Sequence, residues 1–224
     1  RDKQMPKNRG GRTMERRISA GILAGGKSKR MGEDKARLWH GGETFLAHLL
    51  RELREFDEVL LSVEDRRAWA DAPCRVVEDQ LPDFGPVEGI YQLLRAARNP
   101  YVLVTAIDLQ CLTALALQTL AGQIRPGVCC LVPCRDAWLE PLCSIYHKDA
   151  LPVLEQMRSA GVRRPRALFD CVPTRYIEFA DLGWNDSMVK NVNTRGEYEA
   201  LLREEDSKET KKSCCTVKKE IDRI

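Results

Sequence analysis

Apolar segments of strand length alternate with amphipathic segments along most of this chain. Three of the apolar segments read ISAGILA at 18–24, EVLLSV at 58–63 and YVLVTAI at 101–107. Nearly continuous apolar character is typical of strands that are buried on both faces of a parallel sheet. The segment at 44–56 repeats apolar residues every three or four positions, as an amphipathic helix requires. The pattern therefore predicts an α/β fold with a single doubly wound, mostly parallel sheet and helices on both faces.

Weaker signals place the remaining elements. Further strands are predicted at 75–77, 128–133, 142–146 and 174–179, and further helices at 87–97, 113–124 and 148–159. Thr194 and Glu197 form a capping-box pattern, in which a hydroxyl and a carboxylate satisfy each other's free backbone donors. A last helix is therefore expected to begin there.

Charge and composition divide the chain into three parts. Residues 1–17 carry seven Lys and Arg against two Asp and Glu and have no aromatic residue. We therefore expect a basic, disordered arm rather than a segment that binds a specific nucleic acid. Residues 18–203 are long enough for one well-buried domain, and residues 204–224 are a polar tail without periodicity. No apolar run approaches the roughly 18 residues of a membrane span, so no membrane contact is expected.

The nine cysteines are odd in number and form no C-x-x-C pair. Several lie inside apolar strand-like runs, which is typical of reduced thiols that serve as small hydrophobic residues. The group Cys129, Cys130 and Cys134 lacks the spacing of a zinc finger, so a zinc site is not expected. No secretory signal is visible, and a cytoplasmic location is predicted.

The candidate site lies where the predicted strands end, because ligands of doubly wound sheets bind at the carboxyl edge. Three strands end at Ser62, Asp79 and Asp108. The loop after the first strand combines adjacent glycines, which let a phosphate approach backbone amides, with cations that neutralise it. The anion-binding candidates in this loop are Gly25, Gly26, Lys27, Ser28, Arg30, Gly32 and Lys35.

The residues from Gly21 to Ser28 also match the P-loop pattern G-x4-G-K-S. In a P-loop, the first glycine ends the strand and the next four residues form the phosphate loop. Here those four begin with Ile22 and Leu23, which a strand buries, and Gly32 falls where a helix is required. We therefore expect the P-loop match to be accidental and the phosphate loop to begin at Gly25.

The two acidic residues at strand ends each allow two interpretations. Asp108 suits either a helix cap or a ligand of Mg²⁺ bound to phosphates, and its position directly after an apolar strand favours the metal. Asp79 suits equally a turn or a contact to a base, a ribose or a metal.

The first loop is also similar to that of a known family. From 23 to 36 the chain reads LAGGKSKRMGEDKA, which resembles the L-A-G-G-x-S-x-R-M-G-x-D-K-A signature of the molybdenum cofactor guanylyltransferases, within the nucleotidyltransferase superfamily. Further similarity lies in ED at 78–79, in GPVEGI at 85–90 against the family's G-P-L-A-G-I, in EPL at 140–142 and in NVNT at 191–194. The resemblance spans about residues 17–203 and implies a Rossmann-like nucleotidyltransferase fold.

The resemblance implies an Mg²⁺-dependent enzyme that transfers GMP from GTP to the phosphate of molybdopterin and releases pyrophosphate. It implies catalytic roles for Arg30, Lys35 and Asp108, with Asp108 as the metal ligand. The implied nucleotide site comprises Leu23, Ala24, Gly25, Gly26, Lys35, Ser62, Asp79 and Asp108. The implied pterin side comprises Asn191, Asn193 and Arg164. Expected partners are molybdenum-insertion proteins and molybdoenzyme chaperones.

Several positions depart from the family pattern. Ser62 stands where relatives often carry Asn, and the turn after Asp108 differs from the family's usual Asp-x-Pro. Glu88 replaces a small residue, and three outcomes are open for it: a salt bridge to a loop Lys or Arg, participation in the metal site, or impaired activity. Arg164 and its basic neighbours equally suit the pterin side or a solvated helix start.

Two other functions stay open. Relatives that use CTP resemble L-A-A-G at the first loop, so Gly26 favours GTP because guanine needs more room than cytosine. A cytidylyltransferase, or another nucleotidyltransferase acting on a phosphorylated small molecule, is the alternative. A nucleotide-binding relative without activity is the third possibility. The set of Arg30, Lys35 and Asp108 argues against it, because a mere binder does not need full charge neutralisation.

Overall fold

A computed structural model describes residues 17–25 and 35–203 of the chain. The strands are β1 Ile18–Leu23, β2 Trp39–His40, β3 Glu43–Thr44, β4 Glu58–Val63, β5 Arg75–Glu78, β6 Tyr101–Ala106, β7 Cys130–Arg135, β8 Trp138–Leu139, β9 Cys143–His147 and β10 Thr174–Glu178. The helices are α1 Phe45–Glu52, α2 Pro86–Ala96, α3 Ala114–Ala121, α4 Leu151–Ser159, α5 Arg166–Phe169, α6 Phe179–Leu182 and α7 at 195–203. The expected arm and polar tail lie outside the described residues, apart from residue 17.

Within the described residues, eight strands form one mixed, mostly parallel sheet. The order is β10-β7-β9-β6-β1-β4-β5, and β8 pairs with β7. β1 is parallel to both β4 and β6, whereas β9 is antiparallel to its neighbours β6 and β7. β2 and β3 form a separate hairpin. The predicted single, mostly parallel sheet is confirmed.

Helices cover both faces of the sheet, which confirms the doubly wound arrangement. One apolar core packs α1, α3 and α6 against one face, with Leu49, Leu117 and Phe179 among its buried residues. A second core packs α2, α4 and α5 against the other face, with Ile90 and Leu154 among its buried residues. The strands are apolar on both sides because both sides are buried.

The ends of several elements differ from the predicted ones. The predicted helix at 44–56 is α1, which Thr44 caps by accepting a hydrogen bond from the Ala47 backbone N–H, but it ends at Glu52. The backbone turns there so that the Asp57 N–H reaches the Ile18 carbonyl and β4 can pair with β1. Periodicity alone extended the helix too far because Phe56 is apolar and packs on the core from outside the helix.

The capping box is confirmed at the start of α7. The Glu197 N–H donates to Thr194 Oγ1 at 3.2 Å, and the Thr194 N–H donates to Glu197 Oε2 at 2.8 Å. The seven cysteines in the described part of the chain are free thiols, and Cys130, Cys134 and Cys143 are buried among apolar residues. None of the helices described is both long and apolar enough to cross a membrane.

Candidate active site

A cleft of about 380 Å³ lies at the carboxyl edge of the sheet. Three backbone bonds carry the strand pairing past the strand ends: Ala24 N–H to the Ser62 carbonyl, Ile107 N–H to the Leu23 carbonyl and Asp79 N–H to the Val63 carbonyl. They bring the predicted site residues of separate strands to one edge. The cleft is lined by Leu23, Ala24, Gly25, Lys35, Ser62, Glu64, Asp79, Asp83, Gly85, Pro86, Gly89, Ala106, Ile107, Asp108 and Leu142.

The first strand resolves the conflict between the two loop patterns. Gly21 pairs with Leu60 on one side and Val104 on the other, so it lies inside β1 and does not end it. Ile22 and Leu23 are buried strand residues as well. The structure therefore contradicts the P-loop pattern. Gly26 and Arg30, like Lys27, Ser28 and Gly32, lie outside the described residues.

Lys35 connects two parts of the chain that are far apart in sequence. Its Nζ donates to Asp108 Oδ2 at 2.8 Å and to Asn193 Oδ1 at 2.7 Å. The Val192 N–H donates to the Asp108 carbonyl, which holds the loop at 191–194 against the end of β6. Asp108 and Lys35 have side chains that are 14% and 15% exposed, so the pair is partly shielded from water and still open to a ligand.

Helix α7 holds this loop in place. Glu197 Oε2 accepts hydrogen bonds from the backbone N–H groups of Asn193 and Thr194, which hold the pKa of Glu197 below its usual range. Tyr198 donates its hydroxyl to the Trp39 carbonyl at 2.6 Å and packs edge-on against Phe45. Sequence reasoning identified the capping box but missed that its carboxylate orients a site residue.

The other predicted pterin-side residues differ in their placement. Asn191 Oδ1 is buried without a hydrogen-bond partner among the described residues, so an acceptor is left over beside the site. Arg164 is exposed just before α5 and is not among the residues that line the cleft. Arg163 lies nearer: its Nη1 donates at 3.4 Å to the carbonyl of Asp83, which lines the cleft, and its guanidinium lies 5.5 Å from the centroid of the Phe84 ring.

The opposite end of the cleft is acidic. Ser62 Oγ donates to Asp79 Oδ1 at 2.7 Å. Burial raises the pKa of Asp79 to about 6; the bond from Ser62 opposes this rise, and the charges of Glu88 and Glu64 add to it. A Cβ atom on Gly25 would lie 3.2 Å from Asp79 Oδ2, so the glycine leaves that carboxylate open to the cleft. Sequence reasoning missed Glu64, which lies two residues after the predicted site residue Ser62 and also lines the cleft.

Glu140 is a buried acid that sequence reasoning identified only as part of a motif. Burial raises the pKa of Glu140 to about 7, the hydrogen bond from the Leu142 N–H opposes the rise, and the charge of Asp108 adds to it. At neutral pH this carboxyl group is therefore partly protonated. It places less negative charge near Asp108 than a fully ionised carboxylate would.

Glu88 forms an ion pair with a helix residue. Its carboxylate is fully buried and accepts from Arg158 of α4 at 2.5 Å. The partner among the described residues is Arg158, because α2 packs against α4 and places Arg158 beside the first turn of α2. The loop cations at 26–34 lie outside the described residues, so the loop partner stays a prediction.

The carboxylate of Asp108 is a donor of the kind that Mg²⁺ takes. Magnesium in phosphate-transfer sites takes one or two carboxylates and completes its shell with water and substrate phosphates. Asp108 presents such an oxygen to the cleft. Within residues 17–25 and 35–203, no group of three or more acidic, His or Cys side chains is arranged to hold a metal ion.

The fold and the site define a doubly wound α/β protein that is built to hold a phosphorylated ligand at its carboxyl edge. Residues 20–175 match the family described as the MobA-like NTP transferase domain. The chain belongs to this family.

Several relatives and solved structures are similar over most of the chain. A probable molybdenum cofactor guanylyltransferase of Carboxydothermus hydrogenoformans is 34% identical over 83% of this chain and 95% of its own length. A molybdenum cofactor guanylyltransferase of Pseudomonas entomophila is 31% identical over 77% and 92%. The crystal structure of molybdopterin-guanine dinucleotide biosynthesis protein A from Archaeoglobus fulgidus superposes with a TM-score of 0.74 at 21% identity, over 84% of this chain and 99% of that chain.

Proposed function

We propose that this protein is a molybdenum cofactor guanylyltransferase, which transfers GMP from GTP to the phosphate of molybdopterin and releases pyrophosphate. The observation that carries the proposal is the bridge from Lys35 to both Asp108 and Asn193. The ammonium group of Lys35 thereby lies between Asp108, on the nucleotide side of the cleft, and Asn193, on the side of the acceptor. A reaction between two phosphorylated ligands requires a cation in such a position. The relatives named above support the same activity.

The reaction needs no nucleophile from the protein. A phosphate oxygen of molybdopterin forms a bond to the α phosphorus of GTP, the bond from that phosphorus to the bridging oxygen breaks, and pyrophosphate leaves with the electron pair. Lys35 lies where it neutralises charge that builds up on the phosphate oxygens. Asp108 orients Lys35 and would hold Mg²⁺, which would supply further charge neutralisation. The pterin lies on the side of Asn191 and Asn193.

The acidic end of the cleft supports GTP as the nucleotide. Guanine presents two adjacent N–H donor groups on its pairing edge, and Asp79 with Glu64 offers carboxylate acceptors at that end. A site built to accept such hydrogen bonds discriminates against a base that lacks them. Aligned with LAGG at 23–26, the L-A-A-G loop of CTP-using relatives differs at Gly25 and not at Gly26, which lies outside the described residues. A Cβ atom at Gly25 would crowd Asp79 Oδ2 at 3.2 Å, so the base preference rests on the acidic end.

Pyrophosphate release tests the proposed function. The protein is mixed with Mg²⁺, molybdopterin and either GTP or CTP, and pyrophosphate is measured with time. We expect release with GTP that depends on molybdopterin. Normal GTP binding without release would contradict the transferase function, and faster release with CTP would establish the cytidylyltransferase instead.

GTP affinity is expected to fall as the pH drops through about 6, the pKa of Asp79. Only the ionised carboxylate accepts both base donors, and the Asp79→Asn variant should lose this dependence along with roughly 10- to 100-fold in affinity. The pH dependence of protein stability has the opposite sign to that of GTP affinity. Because the folded pKa is raised from 3.8, the stabilising contribution of the bound proton is complete below about pH 4 and is lost as the pH rises through about 6.

Calorimetric titrations with GTP across this pH range, together with thermal melts, check both signs. Wild-type affinity that does not change with pH would remove Asp79 from base recognition.

Gly89→Ala is expected to weaken GTP binding through Ser62. A Cβ atom at Gly89 would lie 2.8 Å from Ser62 Oγ and 2.5 Å from Leu23 Cδ2, so both side chains must move away. We expect a loss of about 1–3 kcal/mol in unfolding free energy and a raised Kd for GTP, because Ser62 no longer orients Asp79. Chemical denaturation and GTP titration measure the two effects.

Gly196→Ala is the matched control, since Gly196 lies in α7 and an added Cβ would meet nothing within 4 Å. This variant should be as stable as the wild type or more stable, because alanine favours a helix. Equal GTP affinity in the two alanine variants would contradict the proposed role of Ser62.

A further inference from the structure

Glu88 is a fully buried carboxylate in the first turn of α2. Its Oε1 accepts from the side chain of Gln92 at 2.7 Å and from the backbone N–H groups of Gln80 at 2.8 Å and Leu81 at 3.3 Å. Its Oε2 accepts from Arg158. Burial by itself would raise the pKa of Glu88, but the bonds from Gln92, Arg158 and Gln80 lower it. Glu88 is therefore an ionised group with all its partners in place.

Arg158 is held on two sides. Its guanidinium lies over the ring of Tyr91, 4.0 Å from the centroid, and its side chain is 11% exposed. The ring face attracts the cation while Glu88 neutralises it. A buried ion pair with this many contacts has a defined geometry, whereas removing one partner leaves an uncompensated charge.

The two backbone groups that Glu88 binds follow Asp79 directly in the chain. Asp79 is fixed from the other side by Ser62 and by its N–H bond to the Val63 carbonyl. Beyond Leu81 the chain makes a tight turn with positive φ at Asp83 and Gly85, and these two residues line the cleft. Residues 79–85 form one wall of the cleft, and Glu88 connects this wall to helices α2 and α4.

We propose that Glu88 and Arg158 form a positioning pair that sets Asp79 and the turn after it for the base of GTP. The pair lies away from the reacting phosphates, so it acts on nucleotide affinity and base selectivity and not on the chemical step. This inference rests on the proposed function.

Glu88→Asp and Glu88→Gln test the pair. Aspartate keeps the charge but is one methylene too short to reach Arg158 and the loop amides together, whereas glutamine keeps the length and loses the charge. For both variants we expect the KM for GTP to rise about 10- to 100-fold. The kcat should stay within about 2-fold of the wild-type value, because the displaced Asp79 binds the base and does not take part in the reaction. The ratio of GTP to CTP affinity should fall as well.

The double variant Glu88→Ala, Arg158→Leu removes both buried charges together and so avoids an unpaired arginine. It should show the same rise in KM, because the loop at 80–81 stays unsupported. Glu155→Gln is the control: Glu155 lies on the same helix and accepts from Tyr91, but it does not contact the loop. It should keep the wild-type KM.

The outcomes separate the positioning role from a structural one and from the proposed function. A lower melting temperature with unchanged KM and unchanged GTP affinity would overturn the positioning role, as would a fall in kcat at constant KM. Wild-type protein that binds GTP but releases no pyrophosphate would overturn only the transferase function. The positioning role is then still decided by titrating GTP into the Glu88 variants without acceptor. Wild-type protein that does not bind GTP would overturn both.

Discussion

Asp108→Asn should lower kcat by about 100- to 1,000-fold while leaving the fold intact. Asparagine keeps the shape of the side chain and the backbone bond to Val192, so the loop at 191–194 stays attached. It loses the negative charge that orients Lys35 and that would hold Mg²⁺. Removing one preorganised electrostatic group from such a site costs about 100- to 1,000-fold in kcat.

Pyrophosphate release at saturating GTP measures this effect, and a titration of the rate with Mg²⁺ measures the metal requirement of both proteins. Asp71→Asn, at an exposed position outside the cleft, is the matched control and should keep wild-type activity. Full activity of the Asp108 variant with unchanged Mg²⁺ dependence would exclude Asp108 from the metal role.

Lys35→Met should lower kcat/KM by about 100- to 1,000-fold. Methionine approximates the length of lysine without its charge, so both the bond to Asp108 and the bond to Asn193 are lost. Lys35 is the cationic side chain among the described residues that line the cleft. The loss is therefore expected in the chemical step and in the binding of both phosphorylated ligands.

Asn193→Ala separates the two contacts of Lys35. It removes one anchor but keeps the charge, so we expect a smaller loss of about 10-fold in kcat/KM, carried mainly by the KM for molybdopterin. Arg67→Met, which removes a positive charge from an exposed side chain outside the cleft, controls for net charge. Equal losses in the Lys35 and Asn193 variants would show that Lys35 acts by holding the loop and not by neutralising phosphate.

The sequence alone determined seven of the eight strands described in the sheet and the edge where the site lies, but it did not predict the two-residue strand β8. Both follow from local physics: strands buried on both faces are apolar throughout, and parallel strands present their carboxyl ends together. Ser62, Asp79 and Asp108 were therefore found as residues at or just after the ends of strands. The resemblance added the residues of the loop at 191–194, which periodicity does not single out.

Only the tertiary structure decided which of these residues touch. Lys35 and Asn193 are separated by 158 positions in the chain, and α7 brings them together by packing Tyr198 against Phe45. Glu88 found its partner on α4 for the same reason, because helix packing across one face of the sheet sets that contact. The acidity of Glu140 likewise depends on burial beside Asp108 and not on its neighbours in sequence. Local sequence fixes elements through backbone preference and burial, whereas contacts between distant side chains depend on how all the elements pack at once.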